Sequence, residues 1–263
     1  MDQTNAVLYQ RKGTVAEITL NRPESLNAMN LALIEGLFQA VKKAEEEKGL
    51  RLVVLKGSGR CFCAGGDIKF FRSQLESETP VNKEMPDRLH TMIEKLRALP
   101  LPVLASIHGS AGGAGTSLAL ACDLVVCADD VKFNLAYCRI GLSPDGGSTY
   151  FLPRHVGLKK AMEIFLASQN LTAQEALALG LINKIVPAAD LQKTTETIAE
   201  IISLGATEAF ARTKKLLNAS FHNSLHNQLS LESEMIVESA RTHDFREGVT
   251  AFLEKRMPEF KGN

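Results

Sequence analysis

The chain has no tryptophan and only three tyrosines among its 263 residues. Proteins that grip single-stranded nucleic acid stack bases on aromatic rings, so that mode is poorly supplied here. There is no surplus of one charge either: thirty basic residues balance thirty acidic ones, for a net charge of zero. A nucleic-acid footprint needs a basic excess, so none is expected. Chains near neutrality tend to associate, which makes an oligomer the expectation. No apolar run reaches the length of a membrane span, and Met1-Asp2-Gln3-Thr4-Asn5 lacks the basic and apolar character of a secretion signal. The expected setting is cytoplasmic, with no membrane partner. A disulfide framework is missing too: the cysteines, at 61, 63, 122, 127 and 138, are odd in number, and three lie in apolar runs. Cys61-x-Cys63 is half of a metal site with no second pair or nearby histidine to complete it, so no metal is expected.

What the chain does have is glycine in two particular places. Cys61-Phe62-Cys63-Ala64-Gly65-Gly66-Asp67-Ile68 follows the apolar run 52–55. His108-Gly109-Ser110-Ala111-Gly112-Gly113-Ala114-Gly115 follows the apolar run 103–107 and opens into the helix-like run 116–122. Glycine permits positive φ and close backbone approach. A strand that hands over to a helix through glycine leaves N–H groups unpaired at the helix mouth, where they receive negative charge. Each cluster by itself reads equally as an ordinary turn with nothing bound. Two of them can each aim an N–H at one oxygen and form an oxyanion hole.

The order of elements is α/β. Strands are expected at 7–10 and 15–20 around Lys12-Gly13, at 52–56, 103–107, 123–127 and 132–134. Apolar positions at helical spacing predict helices over 29–46 and 87–99, the latter stopped by Pro100 and Pro102. Residues 70–86 are polar and read as an irregular stretch, a candidate lid. Pairs of short strands before each helix suggest a ββα unit used several times, without a strict sequence period. From Gly157 onward helices dominate, at 158–167, 172–179, 190–204, 207–220 and 224–240, with a strand at 182–185. Thr172 with Glu175 forms a capping box and Gly180 a stop. The expected division is a ββα core over 1–190 and a helical region over 191–263.

Several stretches together resemble the crotonase superfamily, the enoyl-CoA hydratase/isomerase family. They are 19–29 (Thr-Leu-Asn-Arg-Pro-Glu-Ser-Leu-Asn-Ala-Met), 62–68, 107–123, Gly141-Leu142-Ser143-Pro144-Asp145-Gly146-Gly147, and 247–256 with Pro258 and Phe260. The resemblance spans nearly the whole chain in the expected order. It implies a spiral of ββα units, a C-terminal helical trimerisation region, a homotrimer or dimer of trimers, and acyl-CoA thioesters as substrates, with coenzyme A entering as part of the substrate rather than as a separate cofactor. By position it implies that the N–H groups of Gly66 and Ala114 hold the thioester oxygen. It further implies that Leu26, Ala28, Ala64, Gly65, Asp67, Ile68 and Gly113 contact CoA or the acyl group, that Tyr137 lines the pocket, and that Phe252 and Lys255 reach a CoA, that of a neighbouring subunit included.

Hydratases of this family use two glutamates, and the corresponding positions fall on Ser117 and Tyr137. Activating water needs a positioned base, and neither residue is one at neutral pH without a large shift. One carboxylate does fall in place, Asp145, where members that move double bonds carry an acid. The text from 141 to 154 is most similar to the 1,2-epoxyphenylacetyl-CoA isomerases of phenylacetate catabolism. The expected activity is therefore that of an acyl-CoA isomerase, with Asp145 in an apolar pocket shuttling one proton between two carbons of an enolate. The alternatives are an enoyl-CoA hydratase, a hydrolase or dehalogenase in which Asp145 attacks the acyl group, and a CoA- or RNA-binding protein without turnover. Asp145 also suits a plain helix N-cap. His108 is expected to pack at a strand end. His90 is a minor candidate for the acyl pocket.

Overall fold

The computed structural model describes residues 6–76 and 82–263. Strands β1 (Val7–Lys12) and β2 (Val15–Leu20) form the expected hairpin, antiparallel, with Gly13 at φ +60 in its turn. Helix α1 (Leu31–Glu46) is capped by the Asn30 side chain, which accepts the Leu33 N–H, and its apolar stripe of Leu33, Ile34, Leu37 and Val41 is buried. β3 (Leu52–Gly57) pairs in parallel with β2. Helices α2 (Ile68–Glu76) and α3 (Glu84–Ala98) follow, then β4 (Val103–Ile107), β5 (Ser110–Gly112) and α4 (Ala114–Ala121).

The polar stretch expected to be irregular over 70–86 is helical at both ends. α2 covers 68–76 and α3 begins at Glu84, with Pro86 in its first turn, where proline costs no hydrogen bond. Ile68, Phe71 and Leu75 stand at helical spacing in α2, but the helix buries none of its residues and the polar residues around them read as irregular. Residues 77–81, the middle of the candidate lid, lie outside the described residues.

The remaining elements are β6 (Leu124–Ala128), β7 (Lys132–Asn134), α5 (Ser148–Leu166), β8 (Asn170–Thr172), α6 (Ala173–Ala178), β9 (Lys184–Val186), and helices α7 (Leu191–Ser203), α8 (Thr207–Ser220), α9 (Leu225–Ala240) and α10 (His243–Glu254). α5 starts ten residues ahead of expectation; Gly157, at φ 75 and ψ 162, kinks it where the second half was expected to begin.

The strands sort into two sheets. The larger has the order β1-β2-β3-β4-β6-β9, parallel after the first pair; the smaller has the order β5-β7-β8. The chain thus makes a strand in the large sheet, a short strand in the small one, then a helix, and repeats. Cys63 makes a single parallel bridge to Ala111, so the first glycine junction stands where a small-sheet strand would be. β3 and β4 are buried on both faces, as parallel strands covered by helices must be.

α7 packs on the large sheet, and its Thr195 hydroxyl meets Ser106 Oγ at 2.8 Å. α8 is pinned to the core by charge. Asp123 takes Arg97 Nη1 at 3.0 Å, Lys214 Nζ at 2.7 Å and the Val103 N–H at 2.9 Å. Burial pushes the Lys214 ammonium below its ordinary value against the pull of Asp123. Among the described residues no helix is long and apolar enough to cross a membrane.

α10 is tied to the C-terminal strand of chain that follows it. Glu247 receives a two-pronged bond from Arg256, at 2.6 and 3.0 Å, and the Glu259 N–H at 2.8 Å. Hydrogen bonding from Arg256, then from Glu259, holds its carboxyl at about 2, below the usual 4.5. A carboxyl depressed by folding lends stability above its unfolded value and loses it as the pH falls through the folded one. Residues 255–263 should therefore loosen between pH 4.5 and about 2, read as rising backbone exchange by NMR, and Glu247→Ala should loosen them already at pH 7.

Candidate active site

The site begins as backbone. Residues 26–29 run beside 64–67: the Ala64 N–H donates to Leu26 O at 3.0 Å, Met29 N–H to Gly65 O at 2.7 Å, and Asp67 N–H to Met29 O at 3.0 Å. On the other side the Gly112 N–H donates to Cys63 O at 2.8 Å. The two glycine junctions touch main chain to main chain. A Cβ on Gly65 would stand 2.8 Å from Gly112 O, and one on Gly112 2.7 Å from Ala64 O. Gly65 also sits at φ +106 and Gly113 at φ +46, where side chains are strained. Leu26 and Asn27, both at φ 54, hold the flanking turn. Asn27 is fully buried, and its amide bonds Ser58 O and Cys61 O. Non-glycine residues in this region cost of order 1–3 kcal/mol each and persist where surrounding contacts enforce them.

This packing leaves two donors free. Neither the Gly66 N–H nor the Ala114 N–H has a hydrogen-bond acceptor among the described residues. Ala114 is the first residue of α4, whose cap, Gly113, offers no side chain. A helix start carries partial positive charge, so an oxygen that gains electrons is favoured there.

Beside the junction stands a cluster of side chains. The Tyr137 ring lies 3.8 Å from where a Cβ on Gly113 would be. Its hydroxyl meets Ser117 Oγ at 2.9 Å, and both hydroxyls donate to Asp145 O, at 3.4 and 3.0 Å. Burial, then the charge of Asp145, pushes the Tyr137 phenol well above its ordinary value, so it stays protonated and acts as a donor. The shift is opposite to the one a base at this position would need. The Gly146 N–H donates to His90 Nε2 at 3.4 Å.

The helix-capping reading of Asp145 does not hold. Gly147 occupies the cap of α5 and no side chain bonds there. Asp145 Oδ1 is buried without a hydrogen-bond partner, and no other carboxylate oxygen among the described residues is in that position. His90, Pro144, Asp145 and Gly147 form one wall of a cavity of about 1270 Å³. Its other walls come from α3, α4, α5 and α8, with Ile93, Leu120, Phe151, Phe210 and Leu217 among them.

The structure thus brings Leu26, Ala28, Ala64, Gly65, Gly66, Asp67, Gly113, Ala114, Tyr137 and Asp145 into one region. Asp67 is fully occupied there: one oxygen accepts the Lys69 and Phe70 N–H groups and starts α2, and the other pairs with Arg22 at 3.0 Å. Ile68 is exposed on the first turn of α2. Phe252, 83% exposed, lies on α10, and Lys255 caps the end of that helix at φ 56. His108 bonds Gly59 O at 2.9 Å, as a packed strand-end residue does. Burial pushes the Cys63, Cys122 and Cys127 thiols up to about 12, so they remain thiols. Sequence reasoning missed Arg22, which bonds Ala28 O at 2.5 Å as well as Asp67, and missed α8 as a wall. Arg22 had a signal, its place beside Pro23 in the turn; α8 had none.

Comparison with known proteins agrees with this geometry. The family described as Enoyl-CoA hydratase/isomerase matches residues 10–263. A probable enoyl-CoA hydratase of Rhodobacter capsulatus is 41% identical over 98% of each chain. The 1,2-epoxyphenylacetyl-CoA isomerase of Escherichia coli is 36% identical over 94% of this chain and 95% of its own. A crystal structure of an enoyl-CoA hydratase from Polaromonas superposes with a TM-score of 0.92 at 34% identity, covering 97% of this chain and 99% of that one. The chain belongs to the enoyl-CoA hydratase/isomerase family and has the crotonase fold, an enzyme family acting on acyl-CoA thioesters.

The free Ala114 N–H can be deleted without removing a helix hydrogen bond, because proline is well tolerated at the first helical position. Ala114→Pro should keep the circular dichroism spectrum and lower turnover of enoyl-CoA thioesters by about 10²–10³-fold. A variant that folds and turns over normally would falsify the role of this N–H.

Proposed function

We propose that this chain is an acyl-CoA isomerase that shifts a carbon–carbon double bond through a thioester enolate. The observation that carries the reading is the buried, unpartnered Oδ1 of Asp145 in the cavity wall. The thioester oxygen sits between the N–H groups of Gly66 and Ala114. Asp145 removes a proton from the acyl chain, the charge moves onto the thioester oxygen, and the same carboxyl returns the proton at another carbon. One acid is enough for that shuttle. Ser117 and the protonated Tyr137 orient the Asp145 loop through its carbonyl and supply no base. CoA is part of the substrate, lying along residues 26–28 and 64–68, and no separate cofactor takes part.

A second reading, hydration of an enoyl-CoA with Asp145 as the base for water, is favoured by the name of the Rhodobacter relative. Attack by Asp145 on the acyl group is the third. The chain works as a homotrimer or a dimer of trimers, in the cytoplasm, without nucleic acid. Apolar side chains exposed on α8–α10 support the assembly, among them Leu225, Leu229, Ile236, Phe252 and Leu253.

Asp145→Asn should lower conversion of a 3-enoyl-CoA to the 2-enoyl-CoA by about 10²-fold or more, followed by absorbance of the conjugated thioester. Isomerisation that survives the substitution removes Asp145 from the role. If the native protein instead forms 3-hydroxyacyl-CoA faster than it isomerises, the hydratase reading takes its place. Solvent ¹⁸O found first in the Asp145 carboxylate marks the nucleophilic one.

A further inference from the structure

We infer that Arg22 is a positioning residue for the Gly66 donor, the clasp that keeps this N–H aimed at the thioester oxygen. The inference rests on that oxygen lying at the Gly66 N–H, as the proposed function has it, and deepens that reading by naming what holds the donor.

The two free donors are held by different means. The Ala114 N–H opens α4, and the helix closes directly behind it, the Ser117 N–H donating to Gly113 O at 3.0 Å. The Gly66 N–H belongs to no helix, since α2 starts later, at Ile68. Its direction is set by one peptide plane. A trans peptide points its C=O and its N–H to opposite sides. Gly65 O accepts the Met29 N–H at 2.7 Å, so the Gly66 N–H of the same peptide points away from Met29. The Asp67 N–H, donating to Met29 O at 3.0 Å, closes the pairing from its other end. The aim of the donor is thus as firm as the seat of Met29 beside Gly66. The peptide itself adds little, because a glycine flanks it on each side and glycine restrains backbone rotation least.

Arg22 grips this pairing at both ends. Its Nη1 donates to Ala28 O, the carbonyl just before Met29, at 2.5 Å. Its Nη2 donates to Asp67 Oδ2, on the residue just after Gly66, at 3.0 Å. A guanidinium presents both N–H groups in one rigid plane, so it fixes the two segments relative to each other as well as drawing them together. The two side chains keep 17% and 11% of their surface exposed, which shields the ion pair from salt. Arg22 is anchored in turn by its own main chain. Its N–H donates to Asn27 Oδ1 at 2.8 Å, and its C=O accepts the Asn27 N–H at 2.9 Å. The second Asp67 oxygen is held by the Lys69 and Phe70 N–H groups, so both partners of the clasp are tied down. Arg22 acts through Gly66 and supplies no group to the chemistry.

The test is difference infrared spectroscopy of the full chain saturated with hexanoyl-CoA that carries ¹³C at the thioester carbonyl. In the native protein the carbonyl stretch should lie below its frequency in water, because both N–H groups draw charge onto the oxygen. Arg22→Met should lose part of that lowering, the Ala114 N–H supplying what remains, and its turnover of an enoyl-CoA thioester should fall by about 10²-fold. A residue that only stabilised the fold would lower the melting temperature and leave the frequency of the folded complex unmoved. Arg22→Lys keeps the charge beside Asp67 but has no planar fork to bridge Ala28 O as well, so its frequency should stand between the other two. The native frequency in folded Arg22→Met overturns the inference. Should Arg22→Met fail to fold, Arg22→Lys decides, and the native frequency there overturns it equally. No lowering in the native protein takes the oxygen away from the Gly66 N–H and overturns the inference together with that placement. Hexanoyl-CoA has no double bond to move, so a failure of the isomerase reading leaves these frequencies standing and shows itself separately, in the 3-enoyl-CoA assay.

Discussion

The structure depends on the contact of two bare stretches of main chain. The turn at 63–66 and the turn at 112–115 lie so close that a Cβ on Gly115 would stand 2.4 Å from Cys63 O. One on Gly112 would stand 2.7 Å from Ala64 O. No side chain can be added at either position without pushing the backbones apart. That contact decides where α4 starts and which N–H groups remain unpaired. The parallel bridge between Cys63 and Ala111 then ties the first junction to the small sheet, and the bridge between Met29 and Gly66 holds its other side, so the junction is not a free loop. A donor that needs no rearrangement when charge develops is worth more than one that must turn toward it.

This contact is also the reason the centre of the site could be read from the sequence. Close backbone approach demands the smallest residue, so it leaves glycine behind as a mark. Apolar runs marked the parallel strands, because burial on both faces removes the polar alternation. The rest was harder to read. α2 was read as irregular although Ile68, Phe71 and Leu75 repeat at helical spacing, because that stripe is only three residues long, lies among polar residues and buries nothing. The cavity walls come from α3, α4, α5 and α8, spread over more than a hundred residues of chain, and at each position a wall residue has the same pattern as one on any amphipathic helix. The first half of α5 was missed because it follows two glycines at positive φ and contains Pro153, all of which read as loop.

Aspartates show most clearly what a sequence withholds. Asp67, Asp123, Asp145 and Asp244 all occupy turns or helix starts. Asp67 sits in the glycine motif, and its carboxylate is shared between Arg22 and two N–H groups of α2. Asp123 holds Arg97, Lys214 and the start of β4. Asp244, almost wholly buried, accepts the Lys261 and Gly262 N–H groups and fastens the end of the chain. Each of these three spends its acceptors on the fold.

Asp145 differs by subtraction. Its carbonyl is heavily used, receiving Ser117, Tyr137 and both donors of Ser148. Those bonds fix the backbone of the residue while leaving Oδ1 unclaimed. A buried acceptor without a donor costs about 1–3 kcal/mol. The carbonyl bonds hold the main chain of Asp145, and the Tyr137 hydroxyl also reaches its carboxyl. A fixed peptide group and an unclaimed carboxylate oxygen thus meet in one turn residue, which sets Asp145 apart from the other three aspartates.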